Sequence, residues 1–184
     1  GSYVEILVNA AALGPGILVE ATPTDMSSGQ PGLDHLAIGM GMGLSAITLA
    51  KGPLVVSFEN LVSLAASKGV SLKYSGAVAA ALPTVDTALY SMAGADILEI
   101  EGVLNGTTNF ILNSMASGKA YAQALSEAQK MGVAEANPTL DVEGFDTAAK
   151  LLILANTIWG CGLALSDVQR EGITGLSGED VRQA

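Results

Sequence analysis

The chain has 184 residues, of which 49% are hydrophobic and 14% are charged, with a mean hydropathy of +0.45. This composition supplies enough apolar surface for a packed core and excludes an intrinsically disordered chain. Lys and Arg number 8 against 18 Asp and Glu, which gives a net charge of −10. Because an acidic surface repels phosphate groups and anionic lipid headgroups, we expect neither nucleic acid nor membrane as a partner.

No targeting signal is visible in the sequence. The apolar runs are interrupted well before the ~20 residues that a membrane span needs, and the N-terminus lacks the pattern of a signal peptide. The single Cys161 cannot form an internal disulfide, which fits a reducing compartment. We therefore expect a cytoplasmic protein.

The first part of the chain alternates strand and helix patterns. Strands are predicted at residues 16–22, 45–50 and 70–74, with helices at 31–43 and 58–68. Such alternation is typical of βαβ units, whose strands are parallel. The sequence therefore predicts an α/β fold.

Beyond about residue 76 the pattern changes to mostly helical periodicity. A helix is predicted at 83–93, a strand at 97–104, and helices at 107–118, 121–131 and 145–159. The polar stretch 166–184 carries no predicted element. A sheet of three parallel strands exposes both edges, so we expect the chain to be the middle of a longer protein.

The sequence Asn105-Gly-Thr-Thr-Asn109 lies where a predicted strand gives way to a helix. Free N–H groups at a helix start, reinforced by the helix dipole, bind carboxylates or phosphates. The alternative is an ordinary N-cap formed by Thr107 or Thr108, which is the commoner use of threonine at this position.

Acidic residues are concentrated between Glu135 and Asp146, and Lys150 follows one helical turn after Asp146. At this spacing Asp146 and Lys150 share a helix face. An exposed ion pair is one interpretation. A divalent-metal loop is disfavoured, because the segment lacks the EF-hand pattern and histidine. Since Lys150 enters an apolar stripe beside acids, its proton affinity can be tuned for acid–base chemistry.

Two polar residues follow the predicted parallel strands. Thr22 and Lys51 lie at their carboxyl ends, which is where open α/β sheets bind ligands. The alternative for Lys51 is a solvated lysine at a strand end. No G-x-G-x-x-G turn follows a strand in this chain, so the pyrophosphate-binding turn of a dinucleotide domain is missing from it.

Two longer motifs, GVLNGTTNFIL at 102–112 and AEANPTLDVEGFDTAAKLLILA at 134–155, resemble the homoserine dehydrogenase family. The resemblance extends back through VEATPTD and AKGPL. It implies NAD(P)-dependent interconversion of L-homoserine and L-aspartate 4-semialdehyde, a step toward threonine, methionine and isoleucine.

The resemblance also implies roles for the acidic segment. In the family, the lysine matching Lys150 exchanges the proton of the substrate oxygen while hydride passes to or from the nicotinamide. Asp146 is then expected to position that lysine and the substrate, Glu135 to hold the substrate amino group, and Asp141 to support them.

Further residues match family positions around the substrate and the cofactor. Gly106 and Thr107 are expected to contact the substrate, whereas Thr22 and Lys51 match cofactor-side positions. Lys51 is also expected to reach toward the substrate and act with Lys150 and Asp146 in catalysis.

On the same basis, residues 1–78 are expected to form the incomplete C-terminal part of a dinucleotide-binding domain, with a partial Rossmann-like parallel sheet. Residues 79–184 are expected to form an α+β domain for substrate binding, catalysis and dimerisation, and the protein to be a homodimer. Because the pyrophosphate-binding turn is absent, we expect this chain to be inactive alone. The alternative is a non-catalytic module for amino-acid binding or dimerisation.

The chain departs from the family before Pro83. In relatives, a glutamate and three backbone carbonyls in this segment hold a monovalent cation such as Na⁺ or K⁺. Ser75 replaces the glutamate and brings no charge, whereas the carbonyls of Val78, Ala80 and Leu82 remain. Alanine in place of glycine here also forbids positive φ and a close approach of the cofactor, if the family requires either.

Overall fold

The computed structural model describes residues 2–184. It divides into two compact units: residues 2–98 with Leu152–Asp167 form unit 1, and Glu99–Leu151 with Val168–Ala184 form unit 2. This division differs from the boundary after residue 78 that the sequence suggested. The assignment of a nucleotide-binding and a substrate-binding domain stays a prediction.

Unit 1 is built on a three-stranded parallel sheet in the order β1-β2-β3. The strands are β1 (Ile17–Glu20), β2 (Ser45–Thr48) and β3 (Leu72–Lys73). Glu20 pairs with Thr48, and Ala46 pairs with Leu72. The helices α2 (Gly32–Gly41) and α3 (Gly52–Lys68) form the crossovers between them. The predicted α/β class with a Rossmann-like parallel sheet is confirmed.

Helix α3 starts at Gly52, six residues before the predicted start at 58. Pro53 occupies the first turn, where a missing N–H costs nothing, so it opens the helix instead of blocking it. Ser57 has non-helical angles of φ −147° and ψ 40°. The regular apolar spacing begins only after this kink, which explains the shorter prediction.

Three further parts of unit 1 differ from the sequence prediction or add to it. Helix α1 (Tyr3–Ala12), which was not predicted, starts with a capping box between Ser2 and Glu5. The helix predicted at 83–93 is present as α5 (Thr84–Asp86), which continues directly into a π-helical turn at Thr87–Ser91, and the short α4 (Ser75–Ala79) before it was not predicted. A 3-10 turn at Leu165–Asp167 completes the unit.

Every regular element described in unit 2 is helical. These elements are α6 (Gly106–Ala116), α7 (Tyr121–Lys130), α8 (Thr139–Val142), the first half of α9 (Phe145–Trp159) and α10 (Gly178–Gln183). The core packs α6 against α7 through Ile111, Met115, Ala124 and Ala128. The bounds predicted for α9 are confirmed, whereas α10 was missed although Ser177 and Asp180 form its capping box.

The strand predicted at 97–104 is wrong for the described chain, where this segment has no regular structure. A strand exists only when a neighbour supplies hydrogen bonds along its length. The carbonyl of Ile97 instead accepts a bond from the Trp159 indole, at 2.7 Å. Leu98 and Val103 are 90% and 75% exposed. The apolar pattern was therefore present without a pairing partner.

Within residues 2–184, none of the helices combines the length and apolar character that crossing a bilayer requires.

Candidate active site

The site in unit 2 begins at the N-terminus of α6. The N-cap is Asn105, whose side-chain oxygen accepts the N–H of Thr108 at 2.8 Å. Thr107 or Thr108 had been considered for this role, but Asn is among the strongest capping residues and stands one position before the helix. Asn105 is only 6% exposed, so this cap is internal.

Asn105 also joins two acids that lie far away in the sequence. Its amide nitrogen donates to Asp141 Oδ1 at 2.7 Å and to Asp146 Oδ2 at 2.9 Å. Because the oxygen is used by the cap, both N–H donors point to carboxylates and the amide orientation is fixed. The turn before α6, the helix α8 and the start of α9 therefore meet at one side chain.

Lys150 completes this cluster. Its ammonium lies 2.7 Å from Asp146 Oδ2 and donates to the carbonyl of Leu104 at 2.7 Å. The side chains of Lys150 and Asp146 are 18% and 12% exposed, which excludes a simple solvated ion pair. An ammonium has three N–H donors, and these two contacts use two of them. A third donor remains for an oxygen atom of a ligand.

The other residues proposed for the substrate differ in accessibility. Glu135 and Gly106 are exposed. Thr107 is buried, and its hydroxyl donates to the carbonyl of Val133 at 3.0 Å. The hydroxyl thus tethers the start of α6 to the segment that leads to Glu135. Their roles toward a substrate stay predictions.

A cavity of about 240 Å³ in unit 2 borders this region, and its lining includes Asp141, Thr108, Thr147 and Arg170. Arg170 stacks on the ring of Phe145 at 3.5 Å and donates to the Glu143 carbonyl. Lys150 does not line this cavity. The cavity therefore touches the cluster through Asp141 and not through the proposed proton-transfer group.

In unit 1, a buried carboxylate lies at the carboxyl edge of the sheet. Glu20 is 2% exposed and accepts the Thr22 N–H at 2.8 Å, the Thr22 hydroxyl, and the Thr48 hydroxyl at 2.9 Å. Thr22 is half-buried beside this network. The backbone N–H of Lys51 donates to Thr24 Oγ1 at 3.2 Å, which ties the end of β2 to the loop after β1.

The loop after β1 is held by Asp25. Its carboxylate accepts from the hydroxyl and N–H of Ser27, at 2.6 and 2.8 Å, and from the Ser28 hydroxyl at 2.5 Å. These bonds hold the pKa of Asp25 well below its usual range. A Cβ at Gly52 would lie 2.2 Å from the Asp25 carbonyl oxygen, so only glycine lets the loop approach α3.

The candidate cation segment follows β3. Ala80 adopts φ 50° and ψ −111°, so the expectation that alanine forbids positive φ in this segment is wrong. The Leu82 carbonyl accepts the Thr84 N–H at 2.9 Å. Ser75 donates its hydroxyl to Asp86 Oδ2 at 2.5 Å, so Asp86 brings a carboxylate to the position where Ser75 supplies no charge.

Thr84 adds a second observation in the same loop, because its Oγ1 atom is buried without a hydrogen-bond partner. An oxygen in this state fits the coordination of a hard cation. No group of three or more His, Cys, Asp and Glu side chains suited to a metal occurs within residues 2–184. Hydroxyl, carbonyl and carboxylate oxygens suit a hard cation, and not a metal that prefers thiolate or imidazole ligands.

Sequence reasoning did not identify the roles of three residues: Asn105 as the hub, Glu20 as the buried acceptor and Asp86 beside Ser75. Asn directly before a helix pattern is a capping signal that could have identified the first. For Glu20, the signal was an acidic residue at the end of an apolar strand, which indicates a carboxylate at the edge of the sheet. The proximity of Asp86 to Ser75 depends on a loop whose path the sequence did not reveal.

Comparisons with known proteins all point to one family. The sequence model of the homoserine dehydrogenase family matches residues 83–184, more than half of the chain. A homoserine dehydrogenase of Methanocaldococcus jannaschii is 39% identical over 164 residues, covering 89% of this chain and 49% of that protein. An NAD(+)-dependent homoserine dehydrogenase of Pseudomonas canavaninivorans is 39% identical over 171 residues, covering 93% and 49%.

The comparison with solved structures points to the same family as the sequence comparison. A homoserine dehydrogenase from Thiobacillus denitrificans superposes with a TM-score of 0.84 at 32% identity, covering 91% of this chain and 38% of that one. The chain spans about half the length of the curated relatives named above. The resemblance inferred from the two long motifs is confirmed, and the chain belongs to the homoserine dehydrogenase family.

Proposed function

We propose that this chain supplies the substrate-binding and proton-transfer residues of a protein that interconverts L-homoserine and L-aspartate 4-semialdehyde with NAD(P). The observation that carries the proposal is the cluster of Lys150, Asp146, Asn105 and Asp141, in which a largely buried ammonium keeps one donor for a ligand. Membership in the homoserine dehydrogenase family supplies the reaction.

Lys150 would exchange the proton. In the oxidation direction a neutral Lys150 amine takes the proton of the substrate hydroxyl, and in the reduction direction the ammonium returns it. The bound nicotinamide would accept or supply the hydride. Asp146 keeps the Lys150 side chain in place through its 2.7 Å contact. The exposed carboxylate of Glu135 would hold the substrate ammonium, with Asp141 and the Gly106-Thr107 turn completing the pocket.

A nicotinamide cofactor is supported by the family, and the relative from Pseudomonas canavaninivorans is named as NAD(+)-dependent. The polar groups at the sheet edge suit the amide and ribose groups of such a cofactor, because Thr22 offers a hydroxyl oxygen and Lys51 carries N–H donors. Lys51 would also face the substrate.

We further propose a Na⁺ or K⁺ ion held by the carbonyls of Val78, Ala80 and Leu82. Asp86 would supply the charge that Ser75 lacks. If the ion binds, thermal unfolding shifts upward in KCl or NaCl relative to choline chloride of equal ionic strength, and Asp86→Asn removes the shift. Identical unfolding temperatures in the three salts would reject the ion.

A homodimer and a cytoplasmic location complete the proposal. The segment 97–104 has no strand partner in the described chain, and its apolar residues Leu98 and Val103 are exposed. A second copy could supply the hydrogen bonds that a strand requires. Sedimentation of the full-length protein tests this, and a monomer at micromolar concentration would contradict it.

The decisive experiment is turnover by the full-length protein. We expect homoserine-dependent reduction of NAD⁺ or NADP⁺, followed by absorbance, and no turnover by the isolated 184-residue chain, which lacks the pyrophosphate-binding turn. Homoserine binding without turnover in the full-length protein would instead select the non-catalytic amino-acid-binding alternative. If the full-length protein neither bound homoserine nor turned it over, the remaining alternative would be a dimerisation module.

A further inference from the structure

Glu20 is a buried carboxylate that the proposed reaction does not use. It ends β1, directly opposite Thr48 in the register of the sheet, and it is 2% exposed. A Cβ at Gly32 would lie 3.0 Å from its Oε2 atom, so the start of α2 also closes over it. Burying a carboxylate is costly unless hydrogen bonds compensate. Its partners should therefore reveal what it does.

The contacts divide between the two oxygens of Glu20. Oε1 accepts both the N–H and the hydroxyl of Thr22, whereas Oε2 accepts the hydroxyl of Thr48. The Thr48 oxygen in turn accepts the Ala50 N–H at 3.2 Å. The carboxylate thus holds Thr22, which follows β1, directly. Through Thr48 it also holds Ala50, the residue before Lys51 at the end of β2.

The direction of the Thr22 bond limits the chemistry of its hydroxyl. A threonine hydroxyl has one hydrogen to donate and two lone pairs that accept. Since the hydrogen is donated to Glu20, the half-buried Thr22 oxygen can only accept from a ligand. A ligand group that reaches Thr22 must therefore carry a hydrogen-bond donor.

We propose that Glu20 is a positioning residue that makes Thr22 an obligate acceptor, so that the site selects a nicotinamide nucleoside half carrying a donor at that point. This inference rests on the proposed cofactor. The nicotinamide half of NAD(P) offers two such donors, the carboxamide N–H and the ribose hydroxyls. A carboxylate in place of the carboxamide offers acceptors only and would face the Thr22 oxygen unpaired.

The test measures dissociation constants by calorimetry in the full-length protein, without turnover. NAD⁺ or NADP⁺, whichever binds, is compared with its nicotinic acid analogue and with its analogue lacking the 2′-hydroxyl of the nicotinamide ribose. We expect the parent cofactor to bind at least about ten-fold more tightly than one of the two, because an unpaired polar group costs 1–3 kcal/mol. The analogue that loses affinity identifies the donor.

The variants separate Thr22 from Glu20. The discrimination is the ratio of the dissociation constants of the analogue and the parent cofactor. Thr22→Val should lower this ratio to about one, whereas Thr22→Ser should keep it. Glu20→Leu frees the Thr22 hydroxyl to rotate and donate, so it should remove the discrimination against the nicotinic acid analogue, whose carboxylate then meets a donor. Glu20→Gln keeps an accepting oxygen for Thr22 and should retain it. Leu61→Ala, which opens the buried core elsewhere in unit 1, is the matched control for lost stability.

Equal affinity of the wild-type protein for the parent and both analogues would overturn the inference, as would any discrimination that survives in Thr22→Val. Discrimination against the nicotinic acid analogue that survives in folded Glu20→Leu would also overturn it. If Glu20→Leu does not fold, Glu20→Gln decides, since loss of discrimination there would contradict the acceptor role. Failure of the full-length protein to bind either cofactor would reject the proposed function itself. Unchanged homoserine oxidation with equal affinities would reject only this inference.

Discussion

The two units each contain a buried carboxylate network, and the networks differ in their donors. Glu20 in unit 1 accepts from two threonine hydroxyls and one backbone N–H. Asp146 in unit 2 accepts from the Asn105 amide and the Lys150 ammonium. Hydroxyls and amides keep their protons near neutral pH, whereas an ammonium can release one.

Similar burial of a carboxylate serves a different purpose in each unit. Around Glu20 the hydrogen bonds can only hold atoms in place, so its effects should appear in stability and in cofactor recognition. Around Asp146 the network includes a group with a transferable proton, so its effects should appear in the rate.

The largest effect is expected for Lys150. In the full-length protein Lys150→Ala and Lys150→Arg should each lower kcat by roughly 10²–10⁴, because acid–base catalysis contributes that much. Arginine keeps the charge but does not deprotonate. Lys130→Ala, on the exposed end of α7, is the control and should keep its rate. Near-normal turnover in Lys150→Arg would make Lys150 a purely electrostatic group.

A smaller loss is expected for Asn105. Asn105→Ala removes the cap and both amide donors, and should lower the unfolding free energy by about 1 kcal/mol. We expect kcat/KM to fall by about 10- to 100-fold, since hydrogen bonds to charged groups are worth 1.5–3 kcal/mol. Asn105→Ser should restore the cap but not the rate. Steady-state kinetics and thermal denaturation measure the two effects separately.

Ser177→Ala is the matched control for Asn105, because Ser177 caps α10 without belonging to the cluster. It should lose comparable stability and keep full activity. If it lowered kcat/KM as much as Asn105→Ala does, the loss would come from helix fraying in unit 2, and the hub role of Asn105 would be rejected.

On the unit 1 side, Ala80→Gly should stabilise the protein by about 1 kcal/mol. Positive φ at alanine stores 1–3 kcal/mol of strain, and glycine returns part of this gain through its larger unfolded-state entropy. Ala79→Gly, at the end of α4, should destabilise by about 0.5–1 kcal/mol instead. Chemical denaturation decides, and equal signs for the two variants would show that Ala80 is not strained.

The smallest effect concerns pH. Hydrogen bonds from Ser27 and Ser28 lower the pKa of Asp25 below its usual 3.8. A depressed folded-state pKa gives stability that is present above the unfolded value and lost as pH falls through the folded one. We expect the amide hydrogens of Ser27 and Ser28 to exchange with solvent faster once the pH falls below the lowered pKa of Asp25, because protonation weakens the bonds that they donate. Ser28→Ala should raise the Asp25 titration midpoint, measured by NMR, whereas the exposed Ser63→Ala should not.

The sequence by itself determined the parallel strands, helix α9 and the pairing of Asp146 with Lys150, because local periodicity and i,i+4 spacing are properties of the chain. It also determined the family, through motifs long enough to be specific. It misjudged the segment 97–104, where an apolar pattern needs a neighbour that sequence cannot supply.

Only the tertiary structure decided which distant groups share their hydrogen bonds. Asn105 reaches Asp141 and Asp146 across 36 and 41 residues, and Glu20 reaches Thr48 across 28. The physical reason is that a buried polar atom must find a partner wherever the fold places one. Local patterns fix which elements form, but the partners of a buried carboxylate are set by how those elements pack.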